Sequence, residues 1–124
     1  MSLFLEAYSN LMAFEFDVER GRFKSLYERV RCCPTRTKPS PTPRMVENVC
    51  SAMDMACIWY WKEVRCLQRS AATTCLLRKH GVAAELVIGA QQIPFRAHAW
   101  VEVAGSVVND KTYMAEMYSV LDRC

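Results

Sequence analysis

Glycine and proline are scarce in this 124-residue sequence, with four of one and five of the other. A turn-dense all-β fold needs more of both, and a disordered chain would be poorer in apolar residues than the 52% found here. No run of 18 apolar residues exists, so no transmembrane helix is expected. The opening Met1-Ser-Leu-Phe-Leu-Glu-Ala-Tyr8 lacks a basic start and carries Glu6 inside its apolar stretch, so it does not read as a signal peptide. Paired metal-ligand spacing is missing too. Cys32 and Cys33 are adjacent, whereas tetrahedral zinc sites space paired ligands by two to four residues. No metal and no cofactor are expected.

Cysteine is plentiful, but its seven positions are odd in number and follow no regular framework. Reduced thiols in a cytoplasmic protein fit this pattern best. The net charge of +3 hides a polarity. Residues 1–19 hold four acidic side chains and no Lys or Arg, whereas residues 20–44 hold eight Lys or Arg against Glu28 alone. Such a block is either a solvated face or a footprint for an acidic partner. No nucleic-acid motif or aromatic interleaving accompanies it, so nucleic acid is not expected as a partner, nor is a membrane.

Leu3, Ala7, Leu11 and Phe14 step by three and four and predict a helix over 2–17. Gly21 punctuates, and Phe23, Leu26, Tyr27 and Val30 predict a second, shorter helix. Four prolines then fall between Pro34 and Pro43, a stiff connection that excludes helix or sheet interior. We therefore expect a helical extension and Pro-rich connection over 1–43 and a core domain over 44–124. Val49, Met53, Ala56 and Tyr60 predict a third helix from 44 to about 61. Leu67, Ala71 and Cys75 predict a fourth from 66 to 80, stopped by Gly81.

Beyond Gly81 the period becomes two. Ala84–Ile88 reads as a strand ended by Gly89, 91–95 as a loop, and 96–103 as a strand. In that strand His98, Trp100 and Glu102 face one way and Ala97, Ala99, Val101 and Val103 the other. Ala104-Gly105 turns the chain and 106–110 returns. Helices followed by a short antiparallel sheet make an α+β fold.

A cysteine nucleophile needs a lowered pKa, a base within reach and a group that holds the base. Cys66 stands at a helix start, where backbone N–H groups and the helix dipole favour a thiolate and an oxyanion. Arg65 and Arg69 add positive charge. The plainer reading of any one cysteine is a small core filler. Of the two histidines, His80 closes a helix, where a capping role suffices, and His98 lies mid-strand between two alanines.

The segments Arg65-Cys-Leu-Gln-Arg-Ser70, Leu76-Leu-Arg-Lys-His-Gly81, Glu85-Leu-Val-Ile-Gly89 and Pro94-Phe-Arg-Ala-His-Ala-Trp-Val-Glu102, with Asn109-Asp110, resemble the leader peptidases of lasso-peptide biosynthesis. Those belong to the transglutaminase-like branch of the papain-type cysteine peptidases. The resemblance is strong over 65–110; residues 1–64 share only helical character. It implies a papain/transglutaminase-like fold with the nucleophile at a helix N-terminus. It also implies a Cys66–His98–Asp110 triad and a reaction that cuts the leader from a ribosomally made precursor peptide. The form resembled is the split one, which works with a separate leader-binding recognition protein and hands its product to an ATP-dependent macrolactam synthetase. Trp61 and Trp100 offer themselves as substrate-binding residues, although aromatic residues at such spacing also serve as core. Thiol-dependent acyl transfer on the same triad and a non-catalytic peptide-binding scaffold are the alternatives.

Strand parity adds a geometric expectation. His98 is expected to face Asp110 directly, with Glu102 paired to Ser106 across a three-residue Val103-Ala104-Gly105 loop, because alanine is a poor first residue for a primed two-residue turn. A two-residue Ala104-Gly105 loop would turn Asp110 to the opposite face and break the triad as assigned.

Overall fold

The computed structural model describes residues 2–35, 43–92, 95–111 and 113–124. Four helices come first: α1 (Leu3–Glu19), α2 (Phe23–Arg31), α3 (Pro43–Trp59) and α4 (Cys66–Lys79). Strands β1 (Ala84–Gln92), β2 (Phe95–Val103) and β3 (Ser106–Val107) follow, then a single turn α5 (Met114–Met117) and β4 (Ser119–Arg123). The strands form an antiparallel sheet in the order β3-β2-β1-β4. This is the α+β arrangement expected. Most of the Pro-rich connection lies outside the described residues; Pro43 opens α3, where a missing N–H costs nothing.

The helices pack on one face of the sheet. Ala7, Leu11 and Phe14 of α1 join Leu26 and Val30 of α2, Val49, Met53 and Ala56 of α3, and Ala71, Leu76 and Leu77 of α4. Leu86, Ala99 and Val101 close this core from the sheet. Helices from both sides of position 43/44 contribute to this core. Helix α4 ends in a Schellman turn. Gly81 takes φ 87°, its N–H reaches the Arg78 carbonyl at 3.1 Å, and the Val82 N–H reaches that of Leu77 at 2.9 Å.

Two expectations about the sheet fail. Gly89 does not end β1; the strand runs on to Gln92, and Gln91, Gln92 and Phe95, expected in a loop, are paired strand residues. Glycine is needed there for space, because a Cβ on Gly89 would lie 2.6 Å from the Trp100 ring. The β2–β3 register also differs. Glu102 pairs with Val107 and Val103 with Ser106, so the loop is the two residues Ala104 and Gly105. Both have positive φ, 51° and 80°, as a type I′ turn requires. Its twist matches the strands and outweighs the strain of alanine there, about 1–2 kcal/mol. Residues 114–123, where no element was expected, supply α5 and β4.

Candidate functional site

Helix α4 begins at Cys66, with Arg65 as its extended N-cap and no side chain capping it. The first helical bond runs from the Arg69 N–H to the Arg65 carbonyl at 2.9 Å. The N–H groups ahead of Arg69 thus have no partner within the helix and surround the thiol with positive potential. The helix is seated by buried Gln68, whose Nε2 donates to the Leu11 carbonyl and to Glu15 Oε2, each at 2.9 Å. Glu15 also meets Lys62 at 2.8 Å, which ties down the segment leading into Cys66.

Burial pushes up the thiols of Cys57, Cys75 and Cys124, and that of Cys50 to about 11. These four are poor nucleophiles at neutral pH.

His98 sits on β2 beside buried Trp100, their rings stacked with centroids 6.2 Å apart. Tyr118 covers the imidazole at 5.5 Å and also touches Trp100. His98 Nε2 lies 2.7 Å from Asp110 Oδ2. Burial alone would raise the Asp110 carboxyl. The hydrogen bonds from His98 and from the Lys111 backbone N–H outweigh it and hold the group below its ordinary value. With Asp110 ionised, Nε2 is the donor and Nδ1 is left to accept a proton.

Cys66 and His98 line one cavity of about 270 Å³, whose remaining walls are Phe23, Leu67, Ile88, Ala97 and Ala99. No hydrogen bond joins the thiol and the imidazole among the described residues. A wider hollow of about 580 Å³ lies against Arg31, Arg78 and Arg123 and includes neither Cys66 nor His98.

Asp110 reaches His98 even though the register places it on the wrong parity. Strand β3 ends at Val107. The Val108 N–H still donates to the Val101 carbonyl at 3.0 Å. The return bond comes from a side chain, with the Val101 N–H donating to Asn109 Oδ1 at 2.8 Å. The main chain is thereby released from the ladder and bends, so alternation no longer dictates where Asp110 points.

The two tryptophans fall differently. Trp61 is exposed, 6.0 Å from the Tyr60 ring and with Lys62 over its face. Trp100 is fully buried, and its indole N–H donates to Glu102 Oε2 at 2.9 Å. Trp100 therefore supports His98 from beneath and presents no surface to a substrate. Sequence reasoning missed Phe23, Ile88 and Tyr118 beside the cavity and the imidazole; the apolar patterning of Phe23 and Ile88 carried only a core signal, and Tyr118 stands where no pattern was read. Among the described residues no group of three His, Cys, Asp or Glu side chains could hold a metal ion. No helix among the described residues is long and apolar enough to cross a membrane.

Comparison with known proteins agrees with this architecture. The chain is 43% identical over 56 residues to the Microcin J25-processing protein McjB of Escherichia coli. That stretch is 45% of this chain, which spans only 27% of that protein's length. No solved structure matches significantly. The family model of the transglutaminase-like superfamily matches residues 10–123, nearly the whole chain. By that match and its helix-then-sheet order, the chain belongs to the transglutaminase-like superfamily.

Proposed function

We propose that this chain is a cysteine endopeptidase that removes the leader from a ribosomally made lasso precursor peptide. The observation that carries the reading is a single arrangement. Cys66 at the start of α4 and His98 on β2 share a cavity, and Asp110 stands 2.7 Å behind the imidazole. The likeness to a microcin J25-processing protein supports the substrate class.

Cys66 is the nucleophile. Its thiol gives a proton to His98 Nδ1, and the sulfur attacks the carbonyl at the leader–core junction. The resulting oxyanion faces the N–H groups that open α4. His98 returns the proton to the departing amine, leaving a thioester on Cys66. A water molecule, deprotonated by the same imidazole, hydrolyses that thioester. Asp110 fixes the tautomer through Nε2 and stabilises the imidazolium while it exists. The apolar walls of the cavity exclude bulk water and accept an apolar part of the peptide next to the cleaved bond.

The freed core peptide would pass to an ATP-dependent macrolactam synthetase, and a separate leader-binding protein would present the precursor. The exposed cations of α2 and the basic sequence around it supply a docking charge for that protein or for the precursor. Reduced thiols and a ribosomal substrate fit a cytoplasmic setting. The test is incubation with a candidate precursor, with and without the leader-binding partner, read by mass spectrometry. Leader and core separated by hydrolysis is the expected product; transfer of the acyl group to an added amine instead would mark an acyltransferase.

A further inference from the structure

Beside the His98–Asp110 pair runs a second set of hydrogen bonds, outside the proposed triad. Asn109 Oδ1 accepts the Val101 N–H at 2.8 Å, and Asn109 Nδ2 donates to Ser70 Oγ at 3.1 Å. Ser70 Oγ in turn donates to the Ala99 carbonyl at 3.0 Å. Ser70 is 1% exposed and lies four residues, about one helical turn, beyond Cys66 on α4. Ala99 is the neighbour of His98, and Asn109 the neighbour of Asp110. Three short bonds thus join the elements that carry all three proposed reacting groups.

We propose that Asn109 and Ser70 are positioning residues that lock Asp110 onto His98 and α4 onto β2. Asn109 fills the ladder position that a regular strand would fill with the Val108 carbonyl. Without it, two outcomes compete. Either the 108–110 backbone re-forms the ladder, and strand parity swings Asp110 away from His98, or the Val101 N–H is left buried and unpaired. Each loosens the carboxylate–imidazole bond. Ser70 ends the relay. Its hydroxyl is acceptor for Asn109 and donor to Ala99, so its loss frees the amide to rotate and lets the start of α4 shift against β2. Neither residue touches the reacting atoms. Their effect belongs in kcat, because misplacement of a base by about an ångström costs on the order of 100-fold.

The inference rests on the peptidase reading for its kinetic arm only. Long-range proton–nitrogen NMR of the imidazoles, with His98 assigned through a His80→Gln variant, reads the tautomer without any substrate. In the wild type His98 should hold its proton on Nε2, and Asp110→Asn should abolish that preference. Asn109→Ala should shift His98 toward mixed tautomers and lower kcat 10- to 100-fold with KM unchanged. Asn109→Asp, which keeps the acceptor for Val101, should recover part of both. Ser70→Ala should act in the same direction, and the two losses should be less than additive, because the Asn109–Ser70 bond is shared while the Ser70–Ala99 bond is not. If Asn109→Ala does not fold, Ser70→Ala carries the test. A folded variant of either kind with a wild-type tautomer and kcat within threefold of wild type overturns the proposal. If the wild type cleaves no precursor, the peptidase reading fails, and the tautomer comparison still decides this one.

Discussion

His98 and Asp110 meet at 2.7 Å across a sheet edge whose register should have kept them on opposite faces. The contact exists because β3 is only two residues long and the chain leaves the ladder before Asp110. Replacing Asp110 by Asn should therefore spare the fold and disable the proposed base. The side chain is 28% exposed, so the melting temperature should move little. Turnover should fall by about two to four orders of magnitude, because the imidazole loses its tautomer and its counter-charge. Steady-state kinetics beside a thermal melt separates the two effects.

Cys66→Ala should abolish cleavage and leave the melting curve nearly unchanged, since one small side chain replaces another. Cys32→Ser, on the exposed end of α2, should keep near wild-type turnover. Precursor processed at the wild-type rate by Cys66→Ala would remove the thioester mechanism.

Gly89→Ala tests the close approach of the indole. The added methyl meets Trp100 ring atoms at 2.6 and 2.8 Å and the Tyr118 Cβ at 2.9 Å. Neither neighbour is a free side-chain end. We expect a loss of about 1–3 kcal/mol in urea unfolding. A fall in kcat should accompany it, because both rings it displaces stack on His98.

Glu6 sets an acid limit on stability. Its carboxylate meets Lys79 Nζ at 2.9 Å and His80 Nε2 at 2.8 Å, joining α1 to the end of α4. Burial works to raise its pKa, but these hydrogen bonds prevail and hold it below 4.5. A lowered carboxylate pKa stabilises the fold above the ordinary value and ceases to do so as pH falls through the lowered one. Wild type should therefore exceed Glu6→Gln by about 1–2 kcal/mol at pH 6. That difference should shrink as pH falls below 4.5. A difference that stays constant to pH 3 would assign the contact no charge-dependent role.

Partner docking through the basic segment predicts a salt effect. Processing in the presence of the leader-binding protein should slow as ionic strength rises, mostly through association. Salt-independent processing by the chain alone would exclude that role.

Much of this could be read from the residues. The helical period placed α1 to α4 within about two residues of their ends, and clean alternation placed β2 with His98 and Trp100 on one face. Cys66 as the first residue of α4 was legible because Gly81 and the apolar stripe bracket that helix. Three features were not. Ala104 at φ 51° is a conformation its side chain disfavours, so sequence favoured the longer loop. Gly89 reads as a strand end, because nothing local reveals a ring seated over it. Asn109 reads as a companion of Asp110, while its role depends on Ser70, 39 residues earlier.

Those separations bear on how the molecule acquires its chemistry. The bonds that seat α4 and β2 span 57 residues from Gln68 to Leu11, 29 from Ser70 to Ala99 and 39 from Ser70 to Asn109. Closures of that length form late and in concert, after the loop entropy they cost has been offset by the core. A collapsed intermediate with its helices already wound would thus hold Cys66 without its base. On the proposed mechanism, reactivity would switch on only with the final, cooperative step of folding.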